Sequence, residues 1–145
     1  MTTGTAPCPW SPLIAEMMVS HYPTTLAFWT NLLGFQIAFH RPAQKLACLT
    51  HADGAQVMFY ERDGDWETGL MEPPFGRGAV IQIFVADVTA LWQTIQSAQY
   101  PVYVALREKW RDWGDCLGGQ REFLIQDPDG YLIMIAQRIG TRRLP

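Results

Sequence analysis

The chain has 145 residues, of which 48% are hydrophobic and 17% charged, and its net charge is −3. This length suits a compact domain that buries its core without disulfides. The negative charge argues against nucleic acid as the main partner, and no apolar run reaches the roughly 18 residues that a membrane span requires. Cys8, Cys48 and Cys116 lack metal-site spacing and leave one thiol unpaired, which favours a reducing cytoplasm.

The first half of the chain predicts one strand, one helix and three further strands. Glu16 is the one charged residue in an apolar strand, and Gly34 ends a helix whose apolar residues recur at helical spacing. The predicted segments are a flexible tail (1–12), strands at 13–20, 35–41, 46–50 and 55–61, a helix at 23–33, and a Gly- and Pro-rich connector (62–78).

The second half predicts the same order of elements. Asp87 caps the helix, and the Asp127-Pro128-Asp129-Gly130 turn joins the last two strands, because proline presets φ and glycine supplies positive φ. The predicted segments are strands at 79–86, 101–106, 123–126 and 131–137, with a long loop at 107–120.

These two halves form an internal repeat. Glu16 aligns with Gln82 at an offset of 66, and Met58 with Met134 at an offset of 76. The additional residues of the second half therefore fall in the predicted loop at 107–120. An insertion in one copy of a duplicated scaffold is a candidate functional loop.

The two βαβββ units, the Leu32-Leu33-Gly34-Phe35 segment and the Asp127-Pro128-Asp129-Gly130-Tyr131 turn resemble the glyoxalase/bleomycin-resistance/extradiol-dioxygenase superfamily, also called vicinal oxygen chelate. The resemblance covers roughly residues 13–140. It implies an α+β fold in which each unit curls a mixed sheet into half of a cup. The modules would be residues 13–61 and 79–140, followed by a C-terminal tail at 141–145.

Enzymes of this family hold a divalent metal with His, Gln or Glu on the first and last strands of each unit. The matching positions here are Ile14, Met58, Val80 and Met134, none of which is a hard-metal ligand. The resemblance therefore implies no metal, no cofactor and no catalysis, as in bleomycin-resistance proteins. The segment Gln120-Arg121-Glu122-Phe123 is similar to those proteins, which are homodimers that sequester a cationic antibiotic at the subunit interface.

Strand alternation predicts which side chains face the cup. Every polar residue that interrupts these apolar strands falls on the predicted cup face, whereas the opposite face is almost purely aliphatic or aromatic. Glu16 either matches a ligand cation or pairs with an arginine such as Arg121 or Arg107. Glutamines of the face bind ligand or anchor loops, and its methionines are adaptable ligand surface or core. The predicted cup face is Ile14, Glu16, Met18, Gln56, Met58, Tyr60, Val80, Gln82, Phe84, Leu132, Met134 and Ala136.

Three tryptophans fall in segments predicted to be polar loops. Trp66 lies in the connector, and Trp110 and Trp113 lie in the predicted loop at 107–120. Such side chains stack on a flat ligand or pack across a dimer interface. The predicted ligand-binding set is Glu16, Met58, Tyr60, Trp66, Gln82, Phe84, Trp110, Trp113 and Met134.

The main hypothesis is a homodimeric, metal-free binding protein for a flat, partly cationic antibiotic, and the same pocket could instead hold an endogenous metabolite. The alternative is a metal-dependent lyase, isomerase or dioxygenase with a displaced metal site, for which His40 and Glu61 are candidate ligands.

Overall fold

The computed structural model describes residues 9–145, and the chain divides into two compact units between Met71 and Glu72. Each unit contains one four-stranded mixed sheet and follows the order strand, helix and three strands. The predicted α+β fold with a repeated βαβββ pattern is therefore confirmed. No helix within residues 9–145 has the length and apolar character needed to cross a membrane.

In the first unit, His21 caps the helix, since its ring accepts a hydrogen bond from the Thr24 amide, and the chain leaves the helical segment through Gly34 at a φ of +75°. The sheet order is β1-β4-β3-β2, and β1 runs parallel to β4. The elements are β1 (Ala15–Val19), α1 (Tyr22–Ala27) with a π-helical continuation (Phe28–Leu32), β2 (Gln36–Arg41), a 3-10 turn (Pro42–Gln44), β3 (Leu46–Thr50) and β4 (Gln56–Glu61).

In the second unit, the carboxylate of Asp87 caps the helix by accepting from the Ala90 amide at 3.0 Å. The sheet order is β5-β8-β7-β6, with β5 parallel to β8. Trp92 of the helix contacts Phe123 of the sheet, with ring centroids 5.3 Å apart. The elements are β5 (Val80–Phe84), α2 (Val88–Ser97), β6 (Val104–Asp112), β7 (Leu117–Gln126) and β8 (Leu132–Arg142).

The prediction of a long loop at residues 107–120 is wrong. Strand β6 continues to Asp112 and β7 begins at Leu117, so the additional residues lengthen a hairpin, and β8 extends with them to Arg142. The alternating charged and aromatic residues have partners on the neighbouring strand: Arg107 lies beside Glu122, and Trp110 beside Gly119. Cross-strand pairs of this kind stabilise a sheet without an apolar pattern.

The predicted turn before β8 has the expected hydrogen bonds. The amides of Asp129 and Tyr131 donate to Oδ1 of Asp127, and Gly130 has a φ of +94°. Part of the predicted connector packs on this turn, since the Phe75 amide donates to the Asp129 carbonyl at 2.8 Å. The boundary between the two units therefore lies inside the connector.

Candidate ligand-binding faces

Each sheet has one face covered by its helix and one face that we call the open face. In the first unit, Tyr22 of α1 contacts Phe59 at 5.7 Å between ring centroids, so the neighbours of Phe59 along β4 point to the other side. The register places Glu16 beside Met58 and Met18 beside Tyr60. The open face of the first unit thus contains Glu16, Met18, Gln56, Met58 and Tyr60.

A pocket of about 330 Å³ lies on this open face and is lined by Glu16, Met18, Tyr60 and Trp66. The Tyr60 hydroxyl donates to the Asp65 carbonyl at 3.2 Å. Burial raises the pKa of Tyr60, and the negative charges of Asp63, Glu16, Asp65 and Glu67 raise it further. The pocket therefore combines an aromatic wall with negative electrostatic potential.

Trp66 stands out from its surroundings. Its side chain is 79% exposed, and its backbone has a φ of +62°, a left-handed conformation that is rare for a bulky residue. Backbone strain of this type costs about 1–3 kcal/mol and is concentrated at functional sites. The side chain is thus held at the pocket at the expense of local stability.

The two arginines considered as internal partners of Glu16 have carboxylate neighbours within their own unit. Arg107 pairs with Glu122 at 3.1 Å, and Arg121 lies 3.8 Å from Glu108. Glu16 is exposed and has no salt bridge within residues 9–145. Its charge is therefore accessible to a ligand in the pocket.

Gln56, on the same face, anchors the chain that precedes β1. It accepts from the Ser11 amide at 2.8 Å and donates to the Pro9 carbonyl at 2.5 Å, while Trp10 makes an edge-to-face contact with Phe39 at 5.4 Å. Trp10 was not among the predicted site residues. The only feature of the sequence that could have indicated a structural role for Trp10 is the presence of a tryptophan within a Pro-rich segment. Residues 1–8 of the predicted tail, including Cys8, lie outside the described residues.

In the second unit, the register places Gln82 beside Met134 and Phe84 beside Ala136 on the open face. Phe84 is 36% exposed, and the guanidinium of Arg138 lies over its ring at 4.6 Å. Arg138 therefore adds a cation that was not predicted for this face.

A buried ion cluster lies on the same open face, because Glu122 is the neighbour of Ala136. Glu122 is fully buried and accepts hydrogen bonds from Arg107 (3.3 and 3.1 Å) and from Arg111 (2.9 and 2.8 Å). Burial raises the pKa of Glu122, but hydrogen bonds from Arg111 and Arg107 outweigh this effect and leave the pKa lowered. The carboxylate is therefore ionised and holds both arginines in place. The alternation of Arg107 and Arg111 along β6 was the available sequence signal for this cluster.

Trp110 and Trp113 lie apart from the other predicted residues of the second unit. Alternation along β6 places Trp110 on the face opposite Arg107 and Arg111. There its indole donates to Glu108 at 2.9 Å and stacks under the guanidinium of Arg142 at 3.6 Å. Trp113, in the hairpin turn, is 51% exposed. The structure does not bring Trp110 together with Gln82, Phe84 and Met134.

The metal site of the family's enzymes does not fit the residues present. Ile14 and Val80 offer no donor atom, and Met58 and Met134 offer thioethers that do not suit hard divalent ions. No cluster of three or more His, Cys, Asp or Glu residues suited to a metal occurs in the described part of the chain. Of the displaced pair, Glu61 accepts hydrogen bonds from Lys45 and from the Tyr22 amide, which lower its pKa.

The comparisons with known proteins agree with this architecture. The family model of the Glyoxalase/Bleomycin resistance protein/Dioxygenase superfamily matches residues 13–135, and the chain belongs to this superfamily. Among curated proteins, none matches the sequence.

Two solved structures with TM-scores above 0.5 have the same fold, and a third is similar in sequence. A glyoxalase/bleomycin resistance protein/dioxygenase superfamily member from Vibrio splendidus 12B01 is 31% identical over 86% of this chain and 95% of its own, with a TM-score of 0.41. A virulence protein from Salmonella typhimurium is 20% identical over 91% and 99%, with a TM-score of 0.66. Lactoylglutathione lyase from Agrobacterium tumefaciens is 13% identical over 89% and 94%, with a TM-score of 0.58.

Proposed function

We propose that the protein is a metal-free small-molecule binding protein that sequesters a flat, partly cationic ligand, an antibiotic of the bleomycin type or a metabolite. The supporting observation is the exposed carboxylate of Glu16 in a pocket with Tyr60 and Trp66. Sequestration lowers the free concentration of the ligand and requires no bond to be made or broken.

The chemistry of the first-unit pocket suits such a ligand. A cation within about 6 Å of an aromatic ring is attracted to its face, and a nearby carboxylate adds direct charge pairing. Met18 and Met58 supply an adaptable apolar surface on the same face. Gln82, Phe84 and Met134 lie on the open face of the second unit and are proposed contacts of a ligand bound at that face.

We also propose that the protein is a cytoplasmic homodimer, as the superfamily resemblance implies. Light scattering at micromolar concentration gives its mass in solution. A monomer mass of 16.4 kDa would contradict the dimer and leave the pocket proposal intact.

Isothermal titration with bleomycin and with a planar acridinium cation tests the binding proposal. We expect micromolar or tighter binding that weakens about tenfold in Glu16→Gln, since tenfold corresponds to about 1.4 kcal/mol. Glu72→Gln, a change of an exposed carboxylate in the second unit, is the matched control and should bind as the wild type does. Equal affinity in Glu16→Gln and wild type, or no heat with either cation, would contradict the proposal.

The enzyme alternative is tested separately, because a lactoylglutathione lyase shares the fold. We expect the purified protein to retain no stoichiometric Zn²⁺, Ni²⁺, Mn²⁺ or Fe²⁺ after dialysis against each ion. Retention of one ion per chain would overturn the metal-free part of the proposal.

A further inference from the structure

The open face of the second unit is strongly basic, in contrast to the chain as a whole. Its cationic side chains follow from strand alternation and register: Arg107, Lys109 and Arg111 alternate along β6, and Arg138 lies beside Gln120. Glu122 is the one carboxylate that the register places among them. The face therefore carries an excess of three positive charges, although the net charge of the chain is −3.

Two of these cations are preorganised. Glu122 fixes Arg107 and Arg111, yet their side chains remain 40% and 39% exposed. Within the described residues, Nη1 of Arg107 and Nε of Arg111 donate to no partner. The buried amide nitrogen of Gln120 also has no partner there. The cluster thus has more hydrogen-bond donors than acceptors, and an oxyanion would supply the missing acceptors.

An apolar surface adjoins the cations. The ring of Phe84 is partly exposed beneath Arg138, and Met134 lies in the same row of the sheet as Gln82. A guanidinium stacked on an aromatic ring is positioned to bind the carboxylate or phosphate of a ligand whose body covers the ring. Cationic side chains beside an apolar surface favour a ligand that has an anionic group attached to an apolar body.

A purely structural role explains only part of this arrangement. One guanidinium would neutralise Glu122, and the cluster contains two. Arg138 and Lys109 have no carboxylate partner among the described residues. Their charges raise the cost of folding through repulsion unless an anion binds.

We propose that the open face of the second unit is a second binding site, which takes a small molecule with a carboxylate or phosphate group on an aromatic or apolar body. Arg138 and Lys109 bind the oxyanion together with the outward-facing N–H groups of Arg107 and Arg111, and Phe84 contacts the body. This site is independent of the cation pocket proposed for the first unit.

Isothermal titration with 2-naphthoate and 1-naphthyl phosphate tests this site, and 2-naphthalenemethanol serves as the uncharged analogue. We expect both anions to bind at least tenfold more tightly than the alcohol, and binding to weaken as salt increases. Arg138→Gln should weaken anion binding about tenfold. Arg142→Gln removes a cation from the same strand on the opposite face and should leave anion affinity unchanged.

The outcomes separate this site from the first-unit pocket. Glu16→Gln should leave naphthoate affinity unchanged, and Arg138→Gln should leave acridinium affinity unchanged. Equal binding of the anions and the alcohol, equal effects of Arg138→Gln and Arg142→Gln, or no binding of either anion at millimolar concentration would overturn the proposal. Tighter binding of one anion identifies the preferred head group.

Discussion

The two units share one fold but differ in the charge of their open faces, since the register places Glu16 and Arg41 on that of the first unit and one carboxylate with four cations on that of the second. In the first unit Glu16 lies beside Met58, and in the second unit Gln82 lies beside Met134 within a face that carries four cations. The helix-facing sides are alike, since Val57, Phe59, Ile133 and Ile135 of the last strands are all buried. Core packing limits substitutions on the helix side, whereas the open side is free to diverge between copies of a duplicated unit.

The units also differ in how their ion pairs are placed. In the first unit, Arg62 and Glu67 pair at the surface, whereas Glu122 of the second unit is fully buried between two arginines. A surface pair contributes little, but removing one partner of a buried pair leaves uncompensated charge.

Glu122→Ala is expected to have the largest effect on stability. Two arginines would face each other without their carboxylate, and the free energy of unfolding should fall by about 3–5 kcal/mol. Urea denaturation followed by circular dichroism measures the loss. Glu67→Ala is the matched control in the first unit and should cause a much smaller loss, so equal losses in the two variants would contradict the contrast between the units.

The turns before the last strands give a second comparison. Asp127 and His51 occupy equivalent positions: the backbone amide of each donates across its turn, to the Tyr131 and Ala55 carbonyls at 2.9 and 2.8 Å. Asp127 is buried, and no hydrogen bond to its Oδ2 occurs among the described residues. Burial raises the pKa of Asp127 to about 6, although the amides of Tyr131 and Asp129 oppose the increase.

Asp127→Asn is expected to change the pH dependence of stability. An unfolded aspartate has a pKa of about 3.9, so the folded state binds the proton more tightly, and the contribution of Asp127 to stability falls as pH rises from about 4 to about 6. Asparagine carries no charge, so the variant should lack this pH-dependent loss of stability. From the size of the pKa shift of Asp127, we expect the loss in the wild type to be about 2 kcal/mol. Urea denaturation at pH 4.5 and 7 measures it, and identical pH profiles for variant and wild type would show that the burial of Asp127 has no such cost.

Trp66→Ala should have the smallest effect on stability and a large effect on binding. The side chain is 79% exposed, so the free energy of unfolding should change by less than about 0.5 kcal/mol. Affinity for the acridinium cation should fall about tenfold, because stacking is lost. Trp29→Ala is the comparison variant: it removes a fully buried ring, whereas Trp66→Ala removes an exposed one, and it should destabilise the first unit strongly. Unchanged acridinium affinity in Trp66→Ala would remove Trp66 from the site.

Most of the fold could be predicted because strands and helices leave clear periodic patterns. Strand alternation placed Glu16, Tyr60, Gln82 and Phe84 on the open faces, and Asp87 marked the start of a helix. The continuation of the hairpin strands through residues 107–120 was missed because its stabilising pairs are charged or aromatic, and such residues indicate a loop when their partners on the next strand are unknown. The ion pairs of Glu122 with two arginines follow from the register between β6 and β7, which the sequence alone does not give.

The conformation of Trp66 has a consequence for how the chain evolves. A left-handed backbone conformation at a tryptophan lowers the stability of the folded state, and glycine or asparagine at this position would remove the strain. Selection for thermal resistance alone would therefore replace the tryptophan, and selection for ligand capture would retain it. Under the proposed function, stability and ligand binding therefore favour different residues at position 66.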